Sequence, residues 1–289
     1  MKLSYENGGK DGILEESKAG RKRGGKMKKT GCLIRMTFLT KFAYMKAFWL
    51  NVAGTIASIF IYYFLWKFVF RNQDSLAGYT MAQMTTYVIL SRMLSSQFGG
   101  GINKEFAQWI YEGTIGIELL RPVSLFVTLF AKRIGEFLFF VLFKGIPVTV
   151  LCFLLLDGVM PDGGVNFGLF LLSVCISLVI MFFFEFMVGM GSFYTLNYWG
   201  LGFCKSALLS ILSGGIVPIF LFPEGLAKAL DLMPFAGMVS VPVNLYLGRY
   251  GLEQAVSYIG LQLLWTVLLG GAAALFFQHV IKKVVVQGG

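Results

Sequence analysis

Hydrophobic residues along this chain gather into runs close to the roughly 20 residues that a helix needs to cross the hydrocarbon of a bilayer. Four runs are long and nearly free of charge, at about residues 47–70, 134–156, 165–190 and 256–277. Two others are weaker. The run at 78–98 carries Gln83, Arg92 and Gln97, so one of its faces is expected to meet protein or water instead of lipid. Gly99, Gly100 and Gly101 then stop the helix. The run that begins near Ala207 is interrupted by Gly214, Gly215, Pro218, Pro223, Pro234 and Pro242. Proline removes a helix donor and clashes with the preceding turn, and broken backbone at membrane depth survives only when it is buried in protein or lines a cavity. The pattern predicts a short span at 207–222 followed by re-entrant half-helices over 223–247. The expected fold is therefore an all-α polytopic membrane protein with six transmembrane helices.

The polar stretches between these runs set the orientation. Of the 25 Lys and Arg residues, 12 fall between Met1 and Lys46, ahead of the first apolar run. Basic residues accumulate on the cytoplasmic side of short loops, so the N-terminus is expected inside, and Lys282 and Lys283 place the C-terminus there as well. The segment 157–164 has Asp157 and Asp162 and no base, which suits the outside. Residues 1–29 are rich in Gly, Lys and Glu and read as a disordered basic cytoplasmic tail, with Met27 an alternative start. Residues 30–46 space Leu33, Ile34, Phe38 and Phe42 among Arg35, Lys41 and Lys46, the pattern of an amphipathic helix lying in the interface. Residues 102–124 form a polar, amphipathic cytoplasmic segment in which Phe106, Trp109 and Ile110 share an apolar face.

Composition agrees with lipid as the solvent: 56% of residues are hydrophobic and 14% charged, against about a quarter charged in soluble domains. Because the +10 net charge is concentrated where topology requires it, it does not point to nucleic acid. The four cysteines, Cys32, Cys152, Cys175 and Cys204, form no CxxC and no Cys/His cluster, and free thiols are expected. His279 is the sole histidine, too few for a histidine-based metal site or triad. Gly20, Gly25 and Lys26 imitate a phosphate-binding loop, but Met27 stands where Ser or Thr would hold magnesium. No cofactor is therefore expected on this chain.

Ionisable groups inside apolar runs are functional candidates by default. Lys144 lies about ten residues into its run, roughly 15 Å deep, and Glu185 sits near the cytoplasmic end of the next. They are expected to form an intramembrane charge pair, either in transport or simply to fix packing. Arg92 and Glu136 are read as nearer the cytoplasmic interface. Gly189 with Gly191, and Gly270 with Gly271, permit close helix approach.

Three blocks carry a resemblance: GYTMAQMTTYVILSRMLSS at 78–96, YEGTIGIELLRPVS at 111–124 and SGGIVPIFLFPEGLAKALDLMPF at 213–235. With the six-span layout they resemble the membrane subunit of the type-2 ABC exporter permeases. The resemblance implies a multi-pass protein of the prokaryotic plasma (inner) membrane, working with an ABC ATP-binding subunit that holds ATP and magnesium. It also implies a second permease subunit, identical or related, and export of a hydrophobic or amphipathic drug, peptide or lipid-like substrate. The segment between the second and third spans is implied to contact the ATPase, and its matching residues are Glu105, Trp109, Glu112, Gly113, Leu120, Arg121 and Pro122. A secondary transporter independent of ATP is the competing reading, since a broken span and buried charges would suit it too.

Overall fold

The computed structural model describes residues 30–99, 101–120, 124–161, 163–194 and 198–281. The basic tail at 1–29 with its phosphate-loop imitation, Arg121, Pro122, and the C-terminal Lys282 and Lys283 lie outside the described residues.

Lipid-crossing length separates the helices into two sets. A helix α1 over 30–40 turns through the 3-10 segment Lys41–Tyr44 into α2, Met45–Val69. The four long apolar runs become helical stretches of membrane length: Met45–Asn72, Leu125–Leu156, Gly164–Gly191 and Leu252–Ile281. The third and fourth of these, α8 (Gly164–Gly191) and α12 (Leu252–Ile281), pack side by side. Between them in sequence or in space lie shorter helices: α3 (Met81–Ser95), α4 (Ile102–Tyr111), α5 (Ile115–Leu120), α9 (Tyr198–Leu212), α10 (Glu224–Leu232) and α11 (Ser240–Tyr246). A two-residue hairpin, β1 (Ser75–Leu76) paired antiparallel with β2 (Tyr79–Thr80), joins α2 to α3. It marks one end of the bundle, and α4 marks the other.

α2 and α3 show how solvent decides composition. Along α2 only Val52, Ile59 and Trp66 are buried, one seam at intervals of seven residues that meets α3, while Leu50, Ile61, Phe64 and Phe68 stay exposed as a lipid-facing surface. In α3 every residue from Met84 to Leu90, and Ser91 after them, is buried. A helix covered on all sides by protein needs no apolar exterior, which is why this run reads as polar. Gln83 does not face water in the span: it caps the helix. Thr80 Oγ1 accepts from the Gln83 amide and Gln83 Oε1 accepts from the Thr80 amide, the reciprocal box that satisfies orphan donors in a first turn.

The long stretch Leu125–Leu156 is not one regular helix. It consists of α6 (Leu125–Phe140), a π turn at Val141–Gly145 and α7 (Ile146–Leu156). Pro147 has no amide to give the preceding turn, and the ladder shifts so that the Ile146 amide reaches the Val141 carbonyl. The π turn carries Lys144.

α9 corrects the expectation for 207–222. It begins at Tyr198 and ends at Leu212, where Gly214 takes a left-handed conformation (φ +80°) that glycine adopts without steric penalty. The chain then runs through Pro218, Pro223 and Pro234 as two 3-10 turns, α10 and α11. All seven residues of α11 are buried, packed chiefly on α8. The broken backbone at 213–215 and 236–247 is sheltered by protein, as hydrogen-bonding demands, whereas Pro223 and the outer face of α10 are exposed.

Candidate coupling site at the α4 end

The amphipathic α4 is seated by its buried face. Phe106 is fully buried, edge-on to Phe186 at 5.3 Å between centroids. The seat depends on two glycines: a Cβ at Gly189 of α8 would stand 2.8 Å from the Phe106 ring and 3.3 Å from the Asn103 Cα, and one at Gly202 of α9 would stand 2.9 Å from the Asn103 side-chain nitrogen.

Beside this seat lies a buried ionic network. Lys205 of α9 donates to Glu185 Oε1 at 2.9 Å and reaches Asn103 Oδ1 at 3.5 Å. Arg133 of α6 stands 3.9 Å from Glu185 Oε2 and 3.7 Å from Glu136 Oε2, and donates to the Gln97 carbonyl at 3.3 Å. Lys41 completes the chain with a 2.6 Å contact to Glu136. Glu185 is fully buried, and Arg133 and Lys205 nearly so. Burying such ions costs several kcal/mol each unless partners compensate, so the network holds α4, α6, α8 and α9 to one another. Arg133 Nε and Glu185 Oε2 nevertheless lack hydrogen-bond partners, and the contact between these two side chains is loose.

The structure does not bring Lys144 and Glu185 together. Lys144 is buried and donates to Asn51 Oδ1 of α2 at 2.7 Å, whereas Glu185 faces α9 and α6. The reason is the boundary of α9. With that helix expected to start near Ala207, Lys205 read as a turn residue, and the true partner of Glu185 was hidden outside the span.

Of the residues matched to the coupling segment, Glu105 pairs with Lys132 of α6 at 2.8 Å, and the same ammonium lies 5.3 Å from the centre of the half-buried Trp109 ring. Both are turned onto their own bundle. Glu112 and Gly113 are exposed, Glu112 accepting from Gln108 at 2.7 Å. Leu120 is 86% exposed and Ile117 64%, an apolar pair open to a partner. Sequence reasoning assigned no site role to Asn103, Gln108, Ile117, Lys132, Arg133 or Gly202. The polar residues Lys104, Gln108 and Glu112, at intervals of four, were the available signal for the outer face of α4.

At the hairpin end the polar groups are mostly neutral. Tyr79 donates to Asn244 Oδ1 at 2.7 Å, and the Asn244 amide donates to Ser240 at 3.2 Å and Tyr250 at 3.3 Å. Gln262 donates to the Gly237 carbonyl at 2.7 Å and accepts from Ser173 at 3.0 Å. Among the described residues, no group of three or more His, Cys, Asp or Glu is placed to hold a metal ion.

A family model for the ABC-2 family transporter protein matches residues 56–288, from the middle of α2 to beyond α12. The chain belongs to this family. The membership accounts for a membrane-embedded, multi-pass helical protein and for a transport subunit working in an ABC system. No curated protein matches the chain.

Proposed function

We propose that this ABC-2 chain is the permease half of an exporter whose ATP and magnesium are held by a separate ATP-binding subunit, and that α4 with α5 receives the mechanical input. In this reading the α4 end faces the cytoplasm, as do both termini. The six crossings are α2, α3, α6 with α7, α8, α9 and α12. A second permease subunit completes the pathway, and α1 lies in the membrane interface with Arg35 among lipid headgroups.

The observation that carries the reading is the two-sidedness of α4. One face is fixed to the spans by Phe106, Gly189 and the Asn103–Lys205–Glu185 chain. The other presents Lys104, Gln108 and Glu112, continued by Ile117 and Leu120 of α5. A lever must be rigid toward what it moves and open toward what pushes it. The docking anchors therefore shift from Glu105 and Trp109, which serve the fixed face, to Glu112, Ile117 and Leu120, since apolar anchors ringed by polar groups dominate binding energy. Leu120→Asp and Glu112→Lys are expected to lower the ATPase recovered with the purified chain by about tenfold or more and to abolish transport, with insertion unchanged. Wild-type recovery of ATPase together with wild-type transport in Leu120→Asp would refute this assignment.

A further inference from the structure

Arg92 of α3 is a cation beside the middle of α2, and among the described residues no counter-charge pairs with it. Its Nε donates to Ser58 Oγ at 3.0 Å and its Nη1 to the Gly215 carbonyl at 3.3 Å, and its guanidinium lies 4.8 Å from the centre of the Tyr62 ring. All three partners are neutral. Ser58 lies thirteen residues after Met45 and eleven before Val69 in α2, so Arg92 sits near the centre of the span and not at the interface that its place in the sequence suggested. Arg92 is half-buried, not enclosed.

Among the described residues, no carboxylate is placed to neutralise it. Within the membrane-length helices and α3 and α9, the described acids are Glu136, Glu185 and Glu253. Glu136 is held by Lys41 and Arg133, Glu185 by Lys205, and Glu253 stands in the first turn of α12. The same helices of a second copy would bring only the same three described acids. The surroundings are instead rich in donors and in further positive charge. Beside Gly215, the buried hydroxyls of Ser95 and Ser213 have no hydrogen-bond partner. Seven residues before Ser58 on α2, Asn51 holds the Lys144 ammonium. Asn51, Thr55, Ser58 and Tyr62 thus form a polar stripe on α2, spaced as one helix face, with two cations docked on it and, among the described residues, no anion. An arginine in hydrocarbon is costly and marks a substrate pathway when nothing in the protein pairs with it. Its planar fork of donors is suited to an oxyanion.

We infer that Arg92, with Ser58 and Tyr62, is a subsite for the oxyanion head of an amphiphilic substrate, a phosphate or carboxylate on an apolar body. This rests on the permease reading and narrows its substrate class to anionic amphiphiles.

The test is binding to the full-length chain in nanodiscs of neutral phosphatidylcholine, corrected for uptake by empty discs. The probes are a pyrene-labelled alkyl phosphate and the parent alcohol. The wild type is expected to prefer the phosphate by about tenfold or more, as a charge-assisted fork contact would give. Arg92→Gln should bring the two probes to parity, and Arg92→Lys should keep part of the preference. Ser58→Asp, which supplies the missing carboxylate and preserves the tie to α2, should abolish the preference as well and covers the case in which Arg92→Gln does not fold. Parity in the wild type, or a preference unchanged in Arg92→Gln and Ser58→Asp, would overturn the site. Displacement of the alkyl phosphate by millimolar inorganic phosphate would overturn the amphiphile assignment, leaving a free-anion site. ATPase recovery with the same preparations is a separate readout. A chain that prefers the phosphate but retains no ATPase would keep the subsite and lose the permease reading, and the reverse result would do the opposite.

Discussion

The two ends of the bundle solve the same problem, polar groups sheltered from water, with different chemistry. At the hairpin end, Tyr79, Asn244, Ser240 and Tyr250 are joined by neutral hydrogen bonds of 2.7 to 3.3 Å, and Gln262 is separately bonded to Ser173 and the Gly237 carbonyl. At the α4 end, Glu185, Lys205, Arg133, Glu136 and Lys41 are ions, and the Arg133–Glu185 contact is 3.9 Å with an unpaired oxygen and an unpaired nitrogen left in it. Neutral networks that are fully satisfied hold one arrangement. A buried ionic network gains little net stability, but its members respond strongly to any change of distance at low dielectric. The difference teaches that the hairpin end is held by matched dipoles and the α4 end by charges, one contact of which is loose. The end that carries the exposed faces of α4 and α5 is the one with slack in its contacts.

The largest effect expected from breaking that contrast is at Glu185. Glu185→Leu leaves Arg133 and Lys205 buried without their shared anion and should cost about 3–5 kcal/mol, read as a drop in thermal unfolding temperature in mild detergent. Adding Lys205→Leu should return most of the loss, because the uncompensated charge, and not the missing bond, is what destabilises. Next comes the glycine seat of α4. Gly189→Leu drives a side chain into the Phe106 ring and should cost about 1–3 kcal/mol and unseat α4, which hydrogen exchange of residues 102–111 would report as loss of protection.

At the hairpin end, Tyr79→Phe removes the donor from Asn244 Oδ1 and should cost about 1–2 kcal/mol in the same unfolding assay, without changing ATPase recovery. A comparable fall in ATPase recovery would erase the distinction between the two ends. Glu105→Gln should cost less than about 1 kcal/mol, since the Glu105–Lys132 pair is open to water and screened. The smallest effect concerns Lys144 and Glu185. Having separate partners, Lys144→Leu and Glu185→Leu should add within about 0.5 kcal/mol, and a larger coupling in the double-mutant cycle would reinstate the pair.

Much of the fold was legible where lipid is the neighbour. The four membrane-length stretches were visible because a surface in hydrocarbon must be apolar along its whole length, so composition reports it directly. α3 and α9 were harder to place. α3 is largely buried in protein, and its Thr85, Thr86, Ser91 and Arg92 are paired there in ways no run of apolar residues can register. α9 starts nine residues ahead of its expected beginning because its first turns, with Trp199, Gly200, Gly202 and Lys205, lack the apolar density used to find spans. The capping box Thr80 and Gln83 was present in the residues and was read as span polarity instead. For the candidate site, the segment 102–124 could be located from its amphipathicity and its resemblance, but which face it shows could not. Trp109 and Glu105 looked like partner contacts until Lys132 appeared beside both.

What the sequence determined by itself was therefore local and one-dimensional: the long apolar stretches, the proline-broken segment after α9, the amphipathic α4 and the family. These follow from the solvent each stretch meets and from backbone rules that act within a few residues. The tertiary structure alone decided the pairings: Glu185 with Lys205 and not Lys144, Arg92 with neutral groups beside the middle of α2, and α4 against Gly189 and Gly202. Such choices depend on which helix faces which across the bundle. Coulombic and packing terms act over a few ångströms in space, and residues that distance apart here are separated by 20 to 123 positions in the chain.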